Sequence, residues 1–433
     1  MLFSSFSFLF AFFPLFMAVY VLIPKTWRHA AVLVFSLLFY AFGDVKGLLW
    51  LVFSALLHYG LALLPRKRTA VALAAAFDVG LLFYFKYVAG IQPLGLSFYS
   101  FTALAYVIDV CRGEPAERNP VRAISYMTAF PKVLSGPITR YGEMRDSLHA
   151  PKIGFDAAQR GILRFLSGLC KKTLLAAPAS EMWQYLSAQD SDARGVLGSW
   201  LALLFYAFWL YFDFSGYTDM ALGLGKIMGI SLPENFRYPY TAQSPKDFWR
   251  RWHISLSLWF RDYVYIPLGG SRCAPWRNTL NLLAVWVLTG LWHGNSPSFL
   301  VWGLYWFLLL WLSRLFEGKT AWIPRAVKRA AMIPVILVGW LIFAFEDMAV
   351  GAEFAKSLIF GNSVGEITLY ELSRSVLLLA VLALGCGPLP KRFYDKHIRG
   401  RAWKELPVAI GGFALSAVYL IGGTQQSFLY FKF

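Results

Sequence analysis

Residues 288–306 read LTGLWHGNSPSFLVWGLYW. The stretch is almost wholly apolar and aromatic, yet it holds one histidine, His293, between Trp292 and Gly294. Apolar runs near 278–293 and 297–312 flank it. A run of about 17–25 apolar residues has the length to cross a bilayer. An ionisable ring inside such a run is costly, so it marks a functional site by default. Whether the rest of the chain supplies a membrane setting for His293 decides the fold.

It does. The chain has 433 residues, of which 58% are hydrophobic, 18% aromatic and 15% charged, and its mean hydropathy is +0.52. Soluble domains carry about 25% charged residues, so this composition cannot coat a globule with polar surface. The 38 Phe, 22 Tyr and 17 Trp suit interface belts and lipid-facing surfaces. A net charge of +17 in a soluble protein would point to nucleic acid. Here Lys/Arg-rich cytoplasmic loops account for it, and no nucleic-acid partner is expected. The four cysteines, Cys111, Cys170, Cys273 and Cys386, are scattered without metal-ligand spacing, so neither a disulfide framework nor a metal site is expected.

Apolar runs can be placed near 2–23, 28–43, 47–64, 70–88, 95–110, 157–178, 196–224, 278–293, 297–312, 330–349, 372–388 and 406–423. The expected fold is an all-α polytopic membrane protein of about 11–12 spans, with interfacial or re-entrant helices, in one domain over 1–433. The first positive side chain, Lys25, follows the first run, which suits a first span and not a cleaved signal peptide. If every run spans, the loops after the odd-numbered runs share one side. They carry Arg66, Lys67 and Arg68, then Arg112, Arg118 and Arg122, and later the cluster from Lys391 to Lys404. The positive-inside rule places them in the cytoplasm and both termini outside it. Lys171 and Lys172 are the misfit, near the outer end of the sixth run.

The segment 226–277 is basic but is not an ordinary loop. It interleaves Lys246, Arg250, Arg251, Arg261 and Arg272 with Trp249, Trp252 and other rings. Ser244, Pro245 and Asp247 form a helix start, and Phe248, Trp252, Leu256, Trp259 and Phe260 recur near a helical period. One reading is a surface amphipathic helix on anionic headgroups. The other is a cytoplasmic vestibule for an anionic, adenine- or phosphopantetheine-bearing donor, with arginines on phosphates and rings stacking. Asp213 and Asp219, at the end of an apolar run, are expected to pair with an arginine of this segment. IPLGGSR, 266–272, reads as a turn.

Of the six histidines, His29, His58, His149 and His397 lie in or near loops or helix ends. His253 and His293 differ, since each follows a Trp in an aromatic segment at apparent membrane depth. These residues carry a resemblance. YFDFSGYTDMALGLGKIMGISLPENFRYPY (211–240), DFWRRWHISLSLWFRDYVYIPLGG (247–270) and LTGLWHG (288–294) resemble the membrane-bound O-acyltransferase (MBOAT) family. The similarity is to its bacterial alginate and peptidoglycan O-acetyltransferase branch. PLGLSFYSFTALAYVIDVCRG (93–113) and FPKVLSGPITRY (130–141) are similar to the same branch.

The resemblance implies a ring of helices around a central waist, with cytoplasmic and extracytoplasmic funnels, in a bacterial inner membrane. It puts the family's principal histidine on His293 and its second on His253. An imidazole buried in low dielectric stays neutral and can serve as general base towards a hydroxyl attacking a thioester. Asn295 would hydrogen-bond the imidazole or a developing oxyanion. His253 would orient the donor or hold the inner funnel together. Trp249, Arg250, Arg251, Trp252, Arg261 and Trp292 complete the expected substrate-binding set.

The chain ends QQSFLYFKF, extracytoplasmic in this topology. Residues 424–433 are either an aromatic interface anchor or, by the resemblance, a motif that enters the outer funnel and offers Tyr430 as an acyl relay. The expected activity is acyl transfer, with acetyl as the expected group, from acetyl-CoA or an acyl carrier protein to an extracytoplasmic polysaccharide. No permanent cofactor is expected. Membrane lipids and a periplasmic acetyltransferase are the expected partners. Two alternatives remain at this point: a transporter or channel with a basic inner vestibule, and a lipid or protein acyltransferase of the same fold.

Overall fold

The structure is a computed structural model that describes residues 1–316, 318–319 and 321–422. Among these, all regular structure is helical. A π-turn, Phe8–Phe12, leads into α1 (Phe13–Leu22). It is followed by α2 (Arg28–Ala41), α3 (Val45–Ala62) and α4 (Lys67–Phe83), which continues as a π-turn, Tyr84–Ala89. Next come α5 (Leu96–Cys111), α6 (Pro120–Thr128), α7 (Tyr141–His149) and α8 (Phe155–Cys170), then the π-turn Lys171–Ala176 and α9 (Ala177–Ser187). The long α10 (Ser191–Met228) precedes the short α11 (Pro245–Trp249) and α12 (Ile254–Phe260). The chain continues through α13 (Pro275–His293), α14 (Pro297–Leu315), α15 (Arg325–Ala344), α16 (Met348–Ser357), α17 (Thr368–Gly385), α18 (Leu389–His397) and α19 (Ala402–Gly422).

Among the described residues, seven helices are long and apolar enough to cross a membrane: α3, α4 with its continuation, α10, α14, α15, α17 and α19. The protein is therefore an all-α multi-pass membrane protein, with fewer full-length spans than the 11–12 apolar runs suggested. The shortfall has local causes. The first run is divided between a π-turn and α1, and α2 has only 14 residues. The run at 157–178 becomes α8, a π-turn and the start of α9, and it carries Arg160, Arg164, Lys171 and Lys172.

The most enclosed span is α10, 38 residues long with a break at Gly195 (φ 61°). It meets α8 at backbone contact. A Cβ on Gly168 would lie 2.5 Å from the Gly216 carbonyl oxygen, and one on Gly223 would lie 2.6 Å from the Phe165 nitrogen. Small residues at such a crossing let two membrane helices approach closely. Charge then locks the pair. Asp219 Oδ2 is 2.7 Å from Lys171 Nζ, Asp219 Oδ1 is 2.7 Å from Arg164, and Asp213 Oδ1 is 2.6 Å from Lys172 Nζ. These partners correct the expectation that an arginine of 226–277 would neutralise the two aspartates. They also explain the misfit of Lys171 and Lys172, which point into the protein to meet carboxylates of α10.

Between α6 and α7 the chain runs through the interior without regular structure, and every residue from Ala129 to Thr139 is buried. Such backbone is tolerated at depth only when protein satisfies its polar groups. Phe130 N–H donates to Ser36 Oγ (2.9 Å), Ile138 N–H donates to Ser255 Oγ (3.1 Å), and the Thr139 carbonyl accepts from the Tyr126 hydroxyl (2.7 Å).

Candidate active site

The segment 226–277 is folded into the protein and not laid along its surface. Ser244 caps α11 as its sequence predicts, its hydroxyl accepting from Asp247 N–H at 3.1 Å. The single amphipathic helix expected from there is broken, however, into α11 and α12. The break is imposed by 235–237, which pairs with it. Arg237 N–H donates to the Arg251 carbonyl, and Ile254 N–H donates to the Asn235 carbonyl, both at 3.0 Å. The buried Asn235 Oδ1 accepts from Ser255 N–H (3.0 Å) and Ser255 Oγ (2.9 Å), and contacts His253 Nδ1 at 3.3 Å. The residue caught in this turn is His253, at φ 43° and ψ 54°. A non-glycine residue there costs about 1–2 kcal/mol. Strain of this kind is held only where the surroundings over-determine it, and such positions cluster at functional sites.

His253 is 1% exposed. Its ring stands edge-on to Phe214 at 4.8 Å and stacks on Phe98 at 6.3 Å. Phe98 also lies 6.4 Å from Trp292, and so connects the surroundings of the two histidines. Trp252 is closed in by Phe236 (5.1 Å), Trp340 (4.8 Å) and Phe248 (5.9 Å).

His293 is the last residue of α13 and is 3% exposed. Trp292 lies 4.5 Å away, Trp302 stands edge-on at 4.9 Å and Phe343 edge-on at 5.1 Å. Trp302 is shared with Trp249, at 5.7 Å, which also packs on Trp286 (4.7 Å) and Trp306 (5.2 Å). The turn out of α13 is tight. A Cβ on Gly294 would lie 2.4 Å from the Phe299 ring, and one on Gly290 would lie 2.6 Å from the Phe299 carbonyl. Gly294 therefore admits a protein ring.

The structure thus brings His253, His293, Trp249, Trp252 and Trp292 into one aromatic interior. The polar members of the expected set lie outside it. Arg250 is exposed. Arg251 is held by Asp247 at 2.7 Å, and Arg261 by Asp262 at 2.6 Å. Asn295 is exposed on the turn between α13 and α14. Tyr430 and the motif 424–433 lie outside the described residues. A crevice bordered by Ile138, Arg140, Glu234, Trp259 and Tyr263 reaches Ser255, two residues from His253.

Several neighbours were not anticipated. Lys86, 4% exposed, donates from Nζ to the Trp292 carbonyl and lies 5.5 Å over the Trp292 ring. His58, placed with the plain histidines, is wholly buried, with Nε2 2.9 Å from Asp78 Oδ2 and Nδ1 2.8 Å from the Ser54 carbonyl. The available signal was the pair of charges, Asp78 and Lys86, inside the run 70–88. Nothing in spacing singled out Asn235, Trp302 or Phe343.

A family model described as membrane-bound O-acyltransferase matches residues 84–348, which include both histidines. A probable alginate O-acetylase of Pseudomonas aeruginosa is 34% identical over 93% of this chain and 84% of its own length. A peptidoglycan O-acetyltransferase of Helicobacter pylori is 30% identical over 84% of this chain and 81% of its own. A teichoic acid D-alanyltransferase of Bacillus subtilis is 31% identical over 59% of this chain and 68% of its own. With a match this long, on a buried histidine pair set among membrane helices, the chain belongs to the membrane-bound O-acyltransferase family and is an acyltransferase.

Proposed function

We propose that this protein moves an acyl group, acetyl in the first instance, from a cytoplasmic thioester to an extracytoplasmic polysaccharide. The observation that carries the reading is the convergence of His293, from the end of α13, and His253, from the strained turn between α11 and α12, on one buried aromatic interior. The named activities of the relatives support the substrate class. Two are O-acetylases of glycans and one is a D-alanyltransferase of teichoic acid.

A neutral imidazole of His293 accepts the proton of the attacking hydroxyl as its oxygen adds to the thioester carbonyl. The tetrahedral adduct collapses, the C–S bond breaks, and the imidazolium returns the proton to the departing thiolate. Thioester and alcohol become ester and thiol with no net proton change. The aromatic walls exclude water, which protects the thioester from hydrolysis. His253, oriented by Asn235, positions the donor. The donor is acetyl-CoA or an acyl carrier protein, approaching from the basic side that carries Arg250.

In this reading the attacking hydroxyl is that of Tyr430. The tyrosyl ester formed there is the form in which acyl leaves the membrane, and a periplasmic transferase passes it to the glycan. The protein lies in a bacterial inner membrane with both termini extracytoplasmic. Incubating purified protein with radiolabelled acetyl-CoA tests this directly. Label on the wild-type polypeptide, lost in both Tyr430→Phe and His293→Ala, is the expected result. Label retained in Tyr430→Phe would remove the relay.

A further inference from the structure

An α-helix leaves its last four carbonyls without intrahelical partners, and its C-terminus carries about half a negative charge. At α13 this end matters more than at any other helix, because His293 is its final residue and Gly294 leaves it in extended geometry (φ 174°). The carbonyls are met from another element. The π-turn Tyr84–Ala89 presents two successive side chains to them. Lys86 Nζ donates to the Trp292 carbonyl. The Tyr87 hydroxyl lies 2.9 Å from the Leu291 carbonyl and 3.2 Å from that of Gly294. Single π-turns inside α-helices recur at functional sites.

Lys86 is an expensive choice for this task. It is 4% exposed and, among the described residues, forms no ion pair with a carboxylate. Burying an ammonium costs several kcal/mol when no counter-charge answers it. A hydroxyl or an amide could cap a carbonyl more cheaply. The ammonium also sits over the Trp292 indole at 5.5 Å, so it grips both the backbone and the ring of the residue preceding His293.

We propose that Lys86 is a positioning residue for acyl transfer: by holding the Trp292 carbonyl and indole, with Tyr87 holding the carbonyls on either side, it fixes the direction in which α13 presents His293. The inference rests on the reading of His293 as general base. Lys86 does not touch substrate, and its effect passes through the imidazole. Displacing a general base by about 1 Å can cost about a hundredfold in rate. Because the perturbation acts on proton transfer and not on donor binding, the loss falls on kcat.

The test uses the full-length protein in proteoliposomes, with acetyl-CoA as donor and the solvent isotope effect on kcat as the decisive reading. That ratio is independent of the fraction of active protein, so a purely structural defect does not move it. Lys86→Met should lower kcat about a hundredfold, leave KM for acetyl-CoA unchanged and raise the isotope effect. Lys86→Arg, which keeps charge and donor, should recover most of the loss. Tyr87→Phe, at a partly exposed position, should show the same pattern more weakly and decides the matter if Lys86→Met fails to fold. Wild-type kcat in Lys86→Met, or a lower kcat with an unchanged isotope effect, would overturn the inference while leaving acyl transfer intact. Absence of transfer by wild-type protein would overturn the acyl-transfer reading and the inference with it.

Discussion

Replacing Asn235 by alanine removes one buried oxygen that serves three groups: Ser255 N–H at 3.0 Å, Ser255 Oγ at 2.9 Å and His253 Nδ1 at 3.3 Å. A buried donor deprived of its acceptor costs about 1–3 kcal/mol. The Ser255 amide cannot turn away and bears the full penalty, the hydroxyl can rotate and bears less, and the long contact to His253 contributes least. The expected loss is about 3 kcal/mol. Larger domains lose about 2 °C per kcal/mol, so the apparent melting midpoint in detergent should fall by about 6 °C at a fixed scan rate. Acyl transfer should fall further than stability, because the turn that sets His253 loses its anchor. Ser255→Ala removes part of the same network, so the double variant should cost less than the two single changes added together. Scanning fluorimetry on the four proteins reads these values. An unchanged midpoint in Asn235→Ala, or strict additivity, would refute the claim that this amide holds the turn.

Two further predictions concern charge. Lys171→Met leaves Asp219, 6% exposed, with Arg164 as its remaining cation, and should destabilise the protein by about 3 kcal/mol; adding Asp219→Leu should restore much of that, read as the fraction surviving heating in detergent. At the loop before α6, burial alone would push the Glu117 carboxyl up. The Asn119 N–H, the Tyr141 hydroxyl at 2.9 Å and His149 at 2.7 Å reverse this and hold it below its ordinary value of 4.5. A depressed carboxyl stabilises the fold above its unfolded value and loses that contribution as pH falls through the folded one. Glu117→Gln should therefore flatten the acid side of the stability curve below about pH 4.5, measured by melting at a series of pH values.

The class of fold was legible because it follows from bulk properties: hydropathy, aromatic content and the sidedness of Lys and Arg. The span count was less so. A window of apolar residues does not register that Phe8–Phe12 is a π-turn or that Arg164 of α8 is committed to Asp219 and Glu234. His253 and His293 stood out as ionisable residues in aromatic surroundings, and both are buried as expected. The partners of Asp213 and Asp219 were misassigned because the nearest basic residues in sequence are not the nearest in space. Lys171 precedes Asp219 by 48 residues and Lys172 precedes Asp213 by 41, and both arrive through the α8–α10 crossing. The arginines of 226–277 looked like a single phosphate-binding set, yet Asp247 and Asp262, from the same segment, already neutralise two of them. Lys86 and Asn235 act by holding backbone, a role that leaves no periodic mark in a sequence.

If His293 is the base that activates the acyl acceptor, removing its imidazole abolishes transfer without unfolding the protein. The most direct measurement is transfer of labelled acetyl from acetyl-CoA by purified His293→Ala and His293→Gln, compared with wild type in the same proteoliposomes, with melting curves confirming that each is folded. Both variants should fold, still bind acetyl-CoA and transfer nothing above the rate without protein. Transfer at the wild-type rate by either folded variant would contradict the role of His293 as general base.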